Sequence, residues 1–83
     1  MSRGRRIHTP SRTLLQRIGR NVAQRRRERG CSQTELARMM GIDEMTVSRI
    51  ERGLSNFSIG TLEGLSKRLG VSIEDLLRSK EPV

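Results

Sequence analysis

One triplet recurs three times along the chain: a glycine, an apolar residue, then a residue whose side chain can cap a helix. It occurs at Gly30-Cys31-Ser32, Gly41-Ile42-Asp43 and Gly70-Val71-Ser72. Each triplet joins a helix stop to a helix start. Glycine takes the left-handed conformation that closes one helix, and the Ser or Asp oxygen then accepts from the free N–H groups that open the next. The first two triplets stand eleven positions apart. That spacing leaves room for a helix of about two turns over 33–40, a tight turn, and a second helix running to Gly53. An apolar residue just before a cap should pack on the fourth helical residue as a staple. The pairs are Cys31 with Leu36, Ile42 with Val47, Phe57 with Leu62 around the cap Ser58, and Val71 with Leu76. Glu35, three residues after Ser32, completes a capping box. Sustained polar–apolar alternation is missing and the chain has one aromatic residue, so nothing signals a strand. The pattern predicts an all-α chain with helices near 11–29, 33–40, 44–52, 59–69 and 73–79.

The 83 residues suit one domain with a small core and no separate catalytic or ligand-binding domain. The expected organisation is a flexible basic arm over 1–10, a folded domain over 11–79 and a short tail over 80–83. Apolar stretches fall far short of the roughly 18 residues of a membrane span, and the basic N-terminus lacks the apolar core of a signal peptide. The expected setting is the cytoplasm. A lone cysteine cannot form an internal disulfide. His8 falls in the arm, Cys31 falls at an expected buried junction, and no His/Cys cluster has metal-ligand spacing. The reading is a non-enzyme with no catalytic residues, no metal and no cofactor.

Net charge is +8, and its distribution is uneven. Residues 1–30 hold ten arginines against the single acid Glu28, whereas residues 31–83 hold seven Lys or Arg against eight acids. The first part is the one expected to face a polyanion. Arg3, Arg5 and Arg6 stand beside Gly4 in a segment with little apolar content, which suits either a solvated tail or a probe of a narrow DNA minor groove.

Leu14, Ile18 and Val22 form an i, i+4, i+8 stripe whose next member is Arg26. Farther along, Val47, Ile50 and Leu54 define an inward face interrupted by Glu51. A charge placed where a core should continue needs a partner. Arg26 and Glu51 are therefore expected to meet inside the bundle, the alternative being that Arg26 snorkels to solvent.

Two short helices joined by a tight turn in a basic chain form a helix-turn-helix layout, and the residues go further. Gly30-Cys31-Ser32-Gln33-Thr34-Glu35-Leu36-Ala37, then Gly41-Ile42, then Val47-Ser48-Arg49-Ile50-Glu51-Arg52-Gly53 resemble the phage-repressor and Cro-type helix-turn-helix family, also called the xenobiotic-response-element class. The resemblance covers about residues 14–78. It implies a five-helix, lambda-repressor-like DNA-binding bundle with its motif at helices 2 and 3, and it implies an ion pair at Arg26 and Glu51. Two departures are Cys31 in place of an aliphatic residue, and Gly60 and Gly64 inside helix 4, each costing about 1 kcal/mol of helix propensity.

With Val47, Ile50 and Leu54 inward, helix 3 turns Glu44, Met45, Ser48, Arg49 and Arg52 outward with Thr46 at the flank, and the resemblance lays this face in the major groove with Glu44, Met45, Thr46 and Arg49 as the base readers. Arg49 suits guanine O6 and N7, Glu44 a cytosine amino group, and Met45 or Thr46 a thymine methyl. Phosphate contacts are expected from Gln33 at the helix 2 start, from Ser48 and Arg52 on helix 3, and from Ser55 and Asn56 after it, with Arg20 and Arg38 as further candidates. One reading helix discriminates too few base pairs, so a homodimer on a near-palindromic duplex is expected, with Ile73, Leu76 and Leu77 of helix 5 as its interface. The function implied is a sequence-specific transcriptional regulator of double-stranded DNA with no membrane association and, as a further partner, polymerase or a toxin. Two alternatives stay open, an antitoxin of a toxin–antitoxin pair and an RNA-binding module using the arginine-rich stretch 20–29.

Overall fold

The computed structural model describes residues 10–79. Five helices follow one another: α1 Arg12–Glu28, α2 Gln33–Met40, α3 Glu44–Glu51, α4 Ile59–Leu69 and α5 Ile73–Leu77. Every start is capped by a side-chain oxygen. Ser11 accepts from the Leu14 amide at 3.1 Å, Ser32 from Glu35 at 3.0 Å, Asp43 from Thr46 at 2.7 Å, Ser58 from Thr61 at 3.0 Å and Ser72 from Asp75 at 3.0 Å. Glu35 answers by accepting from the Ser32 amide at 2.8 Å, and Asp75 does the same for Ser72 at 3.3 Å, giving capping boxes on α2 and α5. Gly41 closes α2 at φ 72° and Gly70 closes α4 at φ 70°, values that a side chain makes costly.

The core gathers one stripe from each helix: Ile18 and Val22 of α1, Leu36 and Ala37 of α2, Val47 and Ile50 of α3, Leu62, Leu65 and Leu69 of α4, and Leu76 of α5. The four expected staple residues Cys31, Ile42, Phe57 and Val71 pack half-buried against it. Gly19 sets how closely α1 and α3 approach. A Cβ at Gly19 would lie 2.4 Å from the Ile50 carbonyl oxygen and 2.5 Å from that of Glu51, so the C-terminal turn of α3 rests directly on α1 backbone. Gly64 has a similar use, because a Cβ there would come within 3.2 Å of the Met40 methyl. At Gly60 the nearest atom would be Ser58 Oγ at 3.6 Å, and nothing in the packing requires a glycine.

Three expectations are corrected. Leu54 does not continue the inward stripe of α3 but is 56% exposed. Helix α3 stops at Glu51, Gly53 turns left-handed, and the Leu54 amide bonds back to the Arg49 carbonyl at 2.9 Å, so the i+4 register from Ile50 is broken before Leu54 is reached. Helix α5 ends at Leu77 rather than 79 because buried Asn21 donates to the Leu76 carbonyl at 2.8 Å and to the Arg78 carbonyl at 2.9 Å, taking oxygens that a longer helix would use. Leu76 is fully buried in its own core, and Ile73 and Leu77 pack partly against that core. The expected interface residue Leu76 thus completes the monomer and offers no surface to a partner.

Candidate nucleic-acid interface

The turn from α2 to α3 is fixed by Gly41 and by the Asp43 cap, which aim α3 outward while Val47 and Ile50 anchor its inner side. Helix period then puts Glu44, Met45, Arg49 and the C-cap Arg52 on the solvent side, with Thr46 and Ser48 half-buried at the flanks. Met45 is 58% exposed, a large apolar side chain that the bundle does not use. Among the described residues, the side chains of Glu44 and Arg49 make no hydrogen bond or ion pair, so their polar ends are free for an incoming partner. Arg52 Nε leans back on the Ser48 carbonyl at 3.4 Å.

Behind this face lies a closed polar network. Arg26 Nε donates to Glu51 Oε2 at 2.6 Å and Arg26 Nη2 to Glu51 Oε1 at 3.0 Å, a bidentate pair with side chains only 10% and 5% exposed. Arg26 Nη1 also donates to the Cys31 carbonyl at 2.9 Å, so one guanidinium holds α1, the α1–α2 junction and the end of α3 together. The hydrogen bond to Glu51 raises the Arg26 pKa further, against the opposing effect of burial, so this arginine stays charged. No buried side-chain nitrogen or oxygen among the described residues is left without a partner.

Sequence reasoning did not anticipate that Gln33 joins this network. Its Nε2 donates to Glu51 Oε1 at 2.8 Å, tying the first residue of α2 to the last residue of α3. An amide carries two N–H donors, so one remains for a phosphate oxygen. Ser55, half-buried, and Asn56, exposed, lie in the loop after α3. Arg3, Arg5 and Arg6 lie outside the described residues. Among the described residues no three His, Cys, Asp or Glu side chains come together as metal ligands, and no helix is long and apolar enough to cross a membrane.

This arrangement has known counterparts, and the helix-turn-helix family HTH_3 matches residues 22–76. The chain belongs to that family, the Cro and phage-repressor type of helix-turn-helix. Within it, the transcriptional regulator SinR of Bacillus licheniformis is 43% identical over 65 residues, covering 77% of this chain, and the chain spans 59% of that relative's length. The crystal structure of the hypothetical transcription factor NHTF from Neisseria superposes with a TM-score of 0.77 at 32% identity, over 90% of this chain and 87% of the other. The structure of SinR, a master regulator for biofilm formation, in complex with DNA gives 0.68 at 44% identity, over 74% of this chain and 98% of that one.

Proposed function

We propose that the chain is a sequence-specific regulator of transcription that lays α3 in the major groove of double-stranded DNA. The observation that carries this reading is the division of α3 into two sides. Its inner side is anchored by Val47, Ile50 and the Arg26–Glu51 pair, while its outer side presents Glu44, Met45 and Arg49 exposed, with no side-chain hydrogen bond or ion pair among the described residues. A rigid helix with unspent donors, acceptors and apolar surface is what base-edge readout needs. The crystallised complex of SinR with DNA supports the same reading for a relative of this sequence.

Arg49, Glu44, Met45 and Thr46 read bases in this scheme. Gln33, Ser48, Arg52, Ser55 and Asn56 hold phosphates, and Arg3, Arg5 and Arg6 supply a minor-groove arm. The protein works in the cytoplasm as a homodimer on a near-palindrome. With Leu76 committed to the core, only the outer halves of Ile73 and Leu77 remain on α5 for self-association. Selecting bound duplexes from a random pool tests the proposal. Two inverted half-sites about 34 Å apart should emerge, and a pool that returns no enriched sequence would overturn it. Deleting the arm should flatten the salt dependence of binding without changing which sequence is selected.

A further inference from the structure

The arginines of the second half of α1 and its C-cap look alike in sequence, but the fold sorts them. Arg25 pairs with Glu28 at 3.7 Å, Arg26 with Glu51 at 2.6 Å, and Arg29 donates to the Leu69 carbonyl at 3.3 Å. Arg20 and Arg27 are exposed, and their side chains make no hydrogen bond or ion pair among the described residues. They are seven residues apart, two turns and roughly 10 Å along one face of the helix, with Ala23 buried between them.

That face forms one wall of an open groove of about 440 Å³, whose other wall is Gln33 of α2 with Ser48 and Arg52 at the end of α3. Glu51 is the one acid lining it, and it is already committed. It is 5% exposed and accepts from Arg26 and from Gln33. The groove therefore presents the guanidinium groups of Arg20, Arg27 and Arg52 with no carboxylate left to balance them. Arg52 spends only its Nε, on the Ser48 carbonyl.

We propose that this groove seats the sugar-phosphate backbone of the bound duplex, with Arg20 and Arg27 each binding a phosphate, so that α1 is a third DNA-contacting element beside α2 and α3. The inference rests on the DNA-reading assignment above and deepens it. Guanidinium forks match phosphate oxygens and stay charged at any working pH. The same groove holds Gln33, whose Glu51 bond leaves one amide N–H for a neighbouring phosphate. Contacts of this kind set register and affinity but carry no base information.

The test measures binding of the full chain to its selected duplex and to a random duplex of equal length, between about 50 and 200 mM salt. Arg20→Gln with Arg27→Gln should reduce the slope of log affinity against log salt by about 1.8 on both duplexes, at roughly 0.9 per phosphate contact. The ratio of the two affinities should be unchanged, and so should the melting temperature, because the removed charges have no protein partner. Lys67→Gln with Arg68→Gln removes the same charge from α4, which does not line the groove, and should move the slope by less than half as much. An unchanged slope in the groove variant, or an equal change in the α4 variant, overturns the phosphate seat while leaving the DNA-reading assignment standing. Loss of binding to a structured RNA with the duplex slope intact would assign the groove to RNA and overturn it too. If the wild-type chain binds neither duplex at low salt, both proposals fall together.

Discussion

Arg26 and Arg49 are the same side chain in two regions that differ in almost every physical respect. Arg26 lies at the junction of α1 with α3, 9% exposed, with its three donor nitrogens on Glu51 and the Cys31 carbonyl. Arg49 lies on the outer side of α3, exposed, and its guanidinium makes no hydrogen bond or ion pair among the described residues. A buried guanidinium is tolerated only when its donors are satisfied, so Arg26 serves the fold. An exposed, unpaired one contributes little to stability, so Arg49 is free to serve recognition. Charge type alone does not tell the two apart. What separates them is whether the helix phase points the residue into the bundle or away from it.

The sharpest way to break the comparison is to remove the buried partner. Glu51→Ala strands Arg26 in the interior and frees the Gln33 amide, and should cost about 3–5 kcal/mol of folding stability in a denaturant titration. A variant as stable as the wild type would mean that Arg26 escapes to water and that the junction is held by apolar packing alone. The next largest effect is expected at Gly19, where a methyl group meets two backbone carbonyls rather than a flexible side chain. Gly19→Ala should destabilise by about 1–3 kcal/mol through overpacking. Unchanged stability would show that α1 and α3 can part at no cost.

On the outer face the expected effect moves from folding to binding. Arg49→Ala should leave the melting temperature within a degree or so, given that surface substitutions stay within about 0.5 kcal/mol. On the preferred duplex it should cost about 1–3 kcal/mol and relax the choice at one base pair per half-site. If only the salt slope fell and base preference survived, Arg49 would be a backbone anchor and the reading face would have to be redrawn.

What could be read from the sequence follows the range of the interactions involved. Helix starts were legible because a cap is local chemistry, one oxygen and one amide three residues apart, and Ser32, Asp43, Ser58 and Ser72 announce it directly. The Arg26–Glu51 junction was legible because each residue interrupts an apolar stripe. Gln33 and Gly19 were not. The Gln33 bond to Glu51 depends on how α2 and α3 cross, and Gly19 resembles any weak helix former until the Ile50 and Glu51 carbonyls are seen above it. Leu54 was misplaced by extending helical phase past the turn that Gly53 makes, and Leu76 by underestimating how much apolar side chain so small a core consumes. The α1 wall of the groove was only partly legible. Arg20 appeared among the phosphate candidates, but Arg27 stands in a run with Arg25 and Arg26, and packing alone distinguishes them.

The smallest expected effect concerns the exposed carboxylates at the helix starts, which contrast with the buried pair in being open to solvent. Glu35 is held below its ordinary pKa first by the Ser32 backbone amide, Asp43 by its hydrogen bonds from the Thr46 side chain and backbone, and Asp75 by the Ser72 backbone amide. Each therefore binds protons more weakly in the folded chain than in the unfolded one. The unfolded state takes up more protons in acid, so stability rises with pH through the carboxylate range. The contribution is complete above the ordinary carboxylate values, near 4, and is lost as pH falls through the lower folded values. The melting temperature should thus be level from neutral pH down to about 5 and decline below about 4. Asp43→Asn tests one member of the set, because asparagine caps a helix about as well but does not titrate. Its acid decline should be shallower than that of the wild type, and superimposable acid limbs would remove the α3 cap from the account.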